Sequence, residues 1–117
     1  RDRLRSRGLG DVYKRQSIEY AADHLDCKLV VVLGHNHCGA VEAAIKHDPD
    51  GHIKYITDDI REAIKEEKDE YIATCLNVKH SVKVIEDNTD MKLLEEKGLE
   101  VIGAVYHLED GHVEFLE

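Results

Sequence analysis

This 117-residue sequence has no stretch near the roughly 18 uninterrupted apolar residues of a membrane-spanning helix, so a helical span within it is excluded. Residues 1–16 start basic but never develop the apolar core of a secretory signal. Cysteine is scarce and odd in number. Cys27, Cys38 and Cys75 cannot close a disulfide framework, and a reducing, cytoplasmic setting is expected. The sequence also lacks a phosphate-binding loop, a dinucleotide glycine motif and a nucleophile elbow, and it shows no internal repeat or low-complexity segment. The common nucleotide-binding and serine-hydrolase readings therefore have nothing to stand on.

What is present suffices for one modest domain, with 42% hydrophobic residues. Sixteen Lys and Arg against twenty-five Asp and Glu give a formal charge of -9. Six basic and two acidic side chains in residues 1–16 make that stretch +4, which leaves -13 for residues 17–117. Such a surface repels phosphates, so no nucleic-acid partner is expected for the folded part. The basic start has no periodic apolar face, and residues 1–16 are expected to be a disordered or non-native leader.

Regular patterning begins at Ser17, a candidate N-cap, with Ile18, Ala21, Ala22 and Leu25 at helical spacing. Leu29-Val30-Val31-Val32-Leu33 predicts a parallel strand covered on both faces. The turn at residues 34–39 leads into a short helix, Ala40–Ile45, which must stop before Pro49. A polar loop is expected over residues 46–56, then a helix capped by Thr57 and running to about Glu67. A longer helix over residues 70–86 places Ile72, Cys75, Leu76, Lys79, Val82 and Ile85 along one stripe. Met91–Lys97 predicts a helix closed by Gly98, and Glu100–Leu108 with His112–Leu116 predicts a hairpin turning at Glu109-Asp110-Gly111. The expected class is α/β: a parallel-sheet core flanked by helices, with a C-terminal β-hairpin.

The strand–turn–helix at Leu29–Ile45 is where open α/β sheets place their sites. Within it, His35 and Cys38 lie three apart, bracketed by Gly34 and Gly39. Imidazole nitrogen and thiolate sulfur are both good zinc donors. Spacing alone leaves two readings open, a metal pair or a packed cysteine beside a polar turn histidine. His37 is read as lying beside such a pair, not as a third donor. Cys27 begins the strand, and seven steps of ~3.3 Å put it roughly 23 Å from the turn. Cys75 falls on the apolar stripe and is expected in the core. His24, His47, His52, His80, His107 and His112 show no partner set, and Tyr20 and Tyr55 have too little context to be acid–base groups. The many helical carboxylates read as solvated faces.

Ser17–Ala22, the strand Leu29–Leu33 and Gly34-His35-Asn36-His37-Cys38-Gly39-Ala40-Val41 resemble the central signature of the beta-class carbonic anhydrases. Asn77-Val78, Val101–Tyr106 and Asp110–Val113 resemble later features of the family, in order, so the likeness runs through residues 17–117. The resemblance implies that His35 and Cys38 are two of three protein ligands of a catalytic Zn2+, that the reaction is hydration of carbon dioxide to bicarbonate, and that the assembly is a homo-oligomer, a dimer first. The family's first ligand comes from an upstream Cys-x-Asp-Ser-Arg motif, whose Asp and Arg stand beside the metal. No such motif occurs here; Arg5-Ser6-Arg7 does not replace it, and His107 stands where many members carry aspartate. Residues 17–117 are therefore expected to be an N-terminally incomplete domain with impaired activity and no assignable catalytic residue beyond the ligands. The alternative is a non-catalytic homologue or fragment acting only through self-association. A cysteine hydrolase using Cys38 with His35 or His37 has no legible acyl site.

Overall fold

The computed structural model describes residues 16–46 and 53–116. The leader expected over residues 1–16 lies, apart from its last residue, outside them, as does the centre of the polar loop around Pro49. The apolar run becomes β1 (Leu29–His35), preceded by α1 (Tyr20–His24), which is wound with π spacing; Leu25 N–H reaches the Tyr20 carbonyl at 3.2 Å. Then follow α2 (Gly39–Lys46), α3 (Ile53–Ile64), α4 (Glu70–Glu86), α5 (Thr89–Glu96), β2 (Glu100–Tyr106) and β3 (Val113–Leu116). Helical winding is already present at residue 16, so Ser17 lies inside a helix and does not cap one.

The strands form one sheet in the order β1-β2-β3. β1 and β2 run parallel from Leu29 opposite Glu100 to His35 opposite Tyr106, and β2 and β3 form the antiparallel hairpin. The class is α/β as expected. The placement of β1 is not. Among the described residues β1 pairs only with β2, at the sheet edge, and its side chains alternate in burial. Val30 and Val32 turn inward, whereas Leu29, Val31 and Leu33 are 54%, 42% and 56% exposed. Register puts Tyr106, Val113 and Phe115 on that same open face, and all three are exposed. A continuous apolar run shows that both faces can be covered; what covers them is a property of the neighbouring elements.

The other face is closed by α4. A Cβ built on Gly34 would lie 2.6 Å from Val78 Cγ2, and one on Gly103 would lie 2.7 Å from Val78 Cγ1. The helix thus seats Val78 between two glycines of adjacent strands, and its covered residues are Ala73, Thr74 and Val78. The predicted stripe is rotated, since Ile72 and Lys79 are exposed and Cys75 is only half-buried. Close approach to the sheet selected small residues, which a hydrophobicity pattern does not register. Val41, Ala44, Ile60, Ile64 and Ala73 make a core between α2, α3 and α4, and Ala22, Met91 and Leu99 make a second one against Val30 and Val101.

Helix ends follow ordinary capping. Asp69 accepts from Ile72 N–H at 3.0 Å, and Asn88 accepts from Asp90 and Met91 N–H. Gly98 takes the left-handed closing position after α5 with φ 107. Thr57 does not cap α3. It is fully buried within the helix, its hydroxyl donating to the Lys54 carbonyl one turn back at 3.1 Å.

Candidate metal centre

β1 delivers His35 at its last position, opposite Tyr106, and the Asn36 N–H still donates to the Tyr106 carbonyl at 3.2 Å. The chain then leaves the sheet through His37, whose φ of 51 is left-handed for a residue with a side chain. Cys38 stands immediately before α2, and its carbonyl accepts from Glu42 N–H at 3.0 Å. Its side chain is half-buried, packed against the cluster of Val41, Ala44, Ile60, Ile64 and Ala73. His35 is exposed.

The donor chemistry fits a zinc ion as far as these two residues go. His35 Nδ1 lies 2.8 Å from the Asn36 carbonyl oxygen. A carbonyl only accepts, so Nδ1 is the donor in this contact, which leaves Nε2 as the ring nitrogen free for a metal, one of the two modes by which histidine ligates. Cys38 is a free thiol. Among the described residues no group of three or more His, Cys, Asp or Glu side chains could hold an ion.

The remaining candidates are accounted for by position. His37 Nε2 meets Glu109 Oε1 at 2.8 Å, and its Nδ1 is 4.0 Å from Glu70, so the ring is held between two carboxylates. Cys27 is exposed ahead of β1, at the opposite end of the strand from the turn. His107 and His112, which lack a partner set in the sequence, stack at 4.1 Å between ring centroids. His107 Nε2 lies 3.0 Å from Glu114, which also accepts from the Tyr71 hydroxyl at 2.6 Å, and His112 Nδ1 lies 2.6 Å from Asp110.

These contacts set the local electrostatics. The Tyr71 hydroxyl and the His107 ring hold the Glu114 carboxyl below its ordinary value, and Glu114 in turn pushes the Tyr71 hydroxyl up. The His112 backbone N–H and ring lower Asp110. Glu109 is lowered by its own backbone N–H and by His37. Sequence reasoning missed Glu109, Glu114 and Tyr71. The first reads only as a hairpin turn residue, and the others as an exposed strand acid and a helix tyrosine.

Residues 9–113 match the family profile described as carbonic anhydrase. A carbonic anhydrase of Mycolicibacterium smegmatis is 32% identical, with the match covering 84% of this chain and 53% of that protein. The chain thus spans about half the length of the curated relatives it matches. Among solved structures, the beta-carbonic anhydrase CafA of Aspergillus fumigatus superposes with a TM-score of 0.81 at 27% identity, covering 91% of this chain and 56% of that one. A tetrameric beta-carbonic anhydrase of Sordaria macrospora gives 0.74 at 27% identity, covering 90% and 60%.

Proposed function

The chain belongs to the beta-class carbonic anhydrase family, and from that premise we propose that it serves zinc-dependent, reversible hydration of carbon dioxide to bicarbonate and a proton, with His35 and Cys38 as metal ligands. The observation that carries the reading is the His35 ring, whose Nδ1 is tied to the Asn36 carbonyl so that Nε2 is left as its available donor, three residues from a free, half-buried cysteine. When bound, zinc supplies the Lewis acidity that brings the pKa of water down to about 7. The chain's own part is to present a neutral imidazole and a sulfur donor from one glycine-bracketed turn, and to hold that turn against the sheet. The Cys-x-Asp-Ser-Arg element of the family pattern has no counterpart in these 117 residues. Two protein donors hold an ion less firmly than the closed sets of tight zinc sites. The 117-residue chain alone is therefore expected to bind zinc weakly and to hydrate carbon dioxide slowly. Zinc content after gel filtration, with stopped-flow hydration measured before and after chelation, tests this. A folded protein with no zinc affinity at all defeats the proposal.

The setting proposed is cytoplasmic, in keeping with three free cysteines; among the described residues no helix is long and apolar enough to cross a membrane. We also propose a homo-oligomer, a dimer first. The open sheet face of Leu29, Val31, Leu33, Val113 and Phe115 supports it, because each Å² of apolar area left wet forgoes roughly 25 cal/mol. Sedimentation equilibrium across a dilution series is expected to show a dimer or larger species at micromolar concentration; a monodisperse, folded monomer there refutes it.

A further inference from the structure

We infer that Glu109 is the positioning residue of the metal turn, fixing the His35 ring through the Asn36 peptide; the inference rests on the ligand assignment proposed above. Glu109 lies in the turn between β2 and β3, 73 positions from Asn36. Both its carboxylate oxygens accept from Asn36 Nδ2, at 2.6 and 3.0 Å, and Oε1 also meets His37 Nε2 at 2.8 Å. Asn36 Oδ1 accepts from the Leu108 N–H at 3.0 Å, and the Asn36 N–H donates to Tyr106. Asn36 is thus held at both ends of its side chain and at its backbone nitrogen, every time by residues 106–109.

The one polar group of Asn36 left is its carbonyl, and that is the group to which His35 Nδ1 donates. The carbonyl belongs to the rigid peptide joining Asn36 to His37. Both residues flanking that plane are gripped by the same carboxylate, and His37 is kept at its left-handed φ of 51. The Glu109 side chain is 54% exposed, so its role is to orient the turn and not to fill a core. Removing it frees the plane, and with it the tautomer and direction of the His35 ring, without opening a cavity.

The test is read first on metal-free protein, independently of any hydration activity. Long-range 1H–15N NMR, at a pH well above the ordinary histidine value of about 6.5, reports which His35 nitrogen carries the proton. Wild type is expected to show the Nδ1–H form, and both E109A and N36A a tautomer mixture. H37N is expected to keep the wild-type form, because Asn tolerates the left-handed backbone and the Asn36–Glu109 contact survives. Zinc affinity is expected to fall roughly tenfold in E109A, at the low end of the effect of outer hydrogen-bond partners. E109Q should recover part of it, since its amide oxygen still accepts from Asn36. A wild-type His35 tautomer in folded E109A overturns the inference. A changed tautomer with unchanged zinc affinity upholds the grip of Glu109 on His35 and removes His35 from the metal, which is the failure of the ligand assignment alone.

Discussion

Replacing Cys38 with serine is expected to lower zinc affinity by roughly a hundredfold or more, beyond what loss of an outer hydrogen-bond partner costs. Sulfur is the stronger of the two donors that the turn supplies, and a hydroxyl is a poor zinc ligand. H35A should have a comparable effect, and neither change should unfold the protein. His35 is exposed, and the serine side chain in C38S would keep nearly the same volume against Val41 and Ala44. C75S serves as the comparison: Cys75 is half-buried on α4, so this variant should bind zinc as wild type does. Competition against a chromophoric chelator measures all three. Wild-type affinity in both C38S and H35A would remove the ligand assignment.

The largest effect on stability is expected from G103A, at about 2–3 kcal/mol, the upper part of the range of roughly 1–3 kcal/mol for overpacking a filled core. The new methyl would lie 2.7 Å from Val78 Cγ1 and 3.4 Å from Val82 Cγ2, and Val78 has little room to withdraw because its other methyl already sits close over Gly34, in the space a Cβ there would occupy. β-Branching leaves that side chain little rotamer freedom in a helix. The effect should be strongly non-additive with V78A, which removes the clashing atoms: in that background G103A should cost far less. Urea unfolding followed by circular dichroism reads both. A G103A protein within about 0.5 kcal/mol of wild type would show that α4 yields easily where its contact with the sheet looks closest.

Local elements were legible in the sequence wherever one residue type decides them. Gly98 closes α5, Glu70–Glu86 is helical as read, and Leu29–Leu33 is a strand. The strand-to-helix turn at residues 34–39 was legible for the same reason, since its glycines, histidine and cysteine are contiguous; its role as a metal site is the proposal made above. What could not be read depends on partners far along the chain. The face that α4 buries was set by Gly34 and Gly103, not by its own apolar residues. Thr57 looked like a helix start because a buried threonine satisfied by the carbonyl three residues back has the same local sequence as a cap. The edge position of β1 reflects which strands lie beside it. Glu109, placed on His37 across 72 positions, has no short-range signal at all.

The parallel pairing of Leu29 with Glu100 also bears on how the molecule comes together in time. Every residue of α2 to α5 must be reeled in before the first rung of that ladder can form, and contacts this distant along the chain make folding slow. The turn bearing His35 and Cys38 belongs to the early half of the chain, while Asn36 and His37 wait for Glu109 from the late half. Until the hairpin docks, the turn exists without its grip, and the edge of β1 that β2 will pair lies open to other chains. The gripped form of this turn therefore marks the end of folding, and the ion binding proposed for His35 and Cys38 would serve as a clock for that last step of assembly.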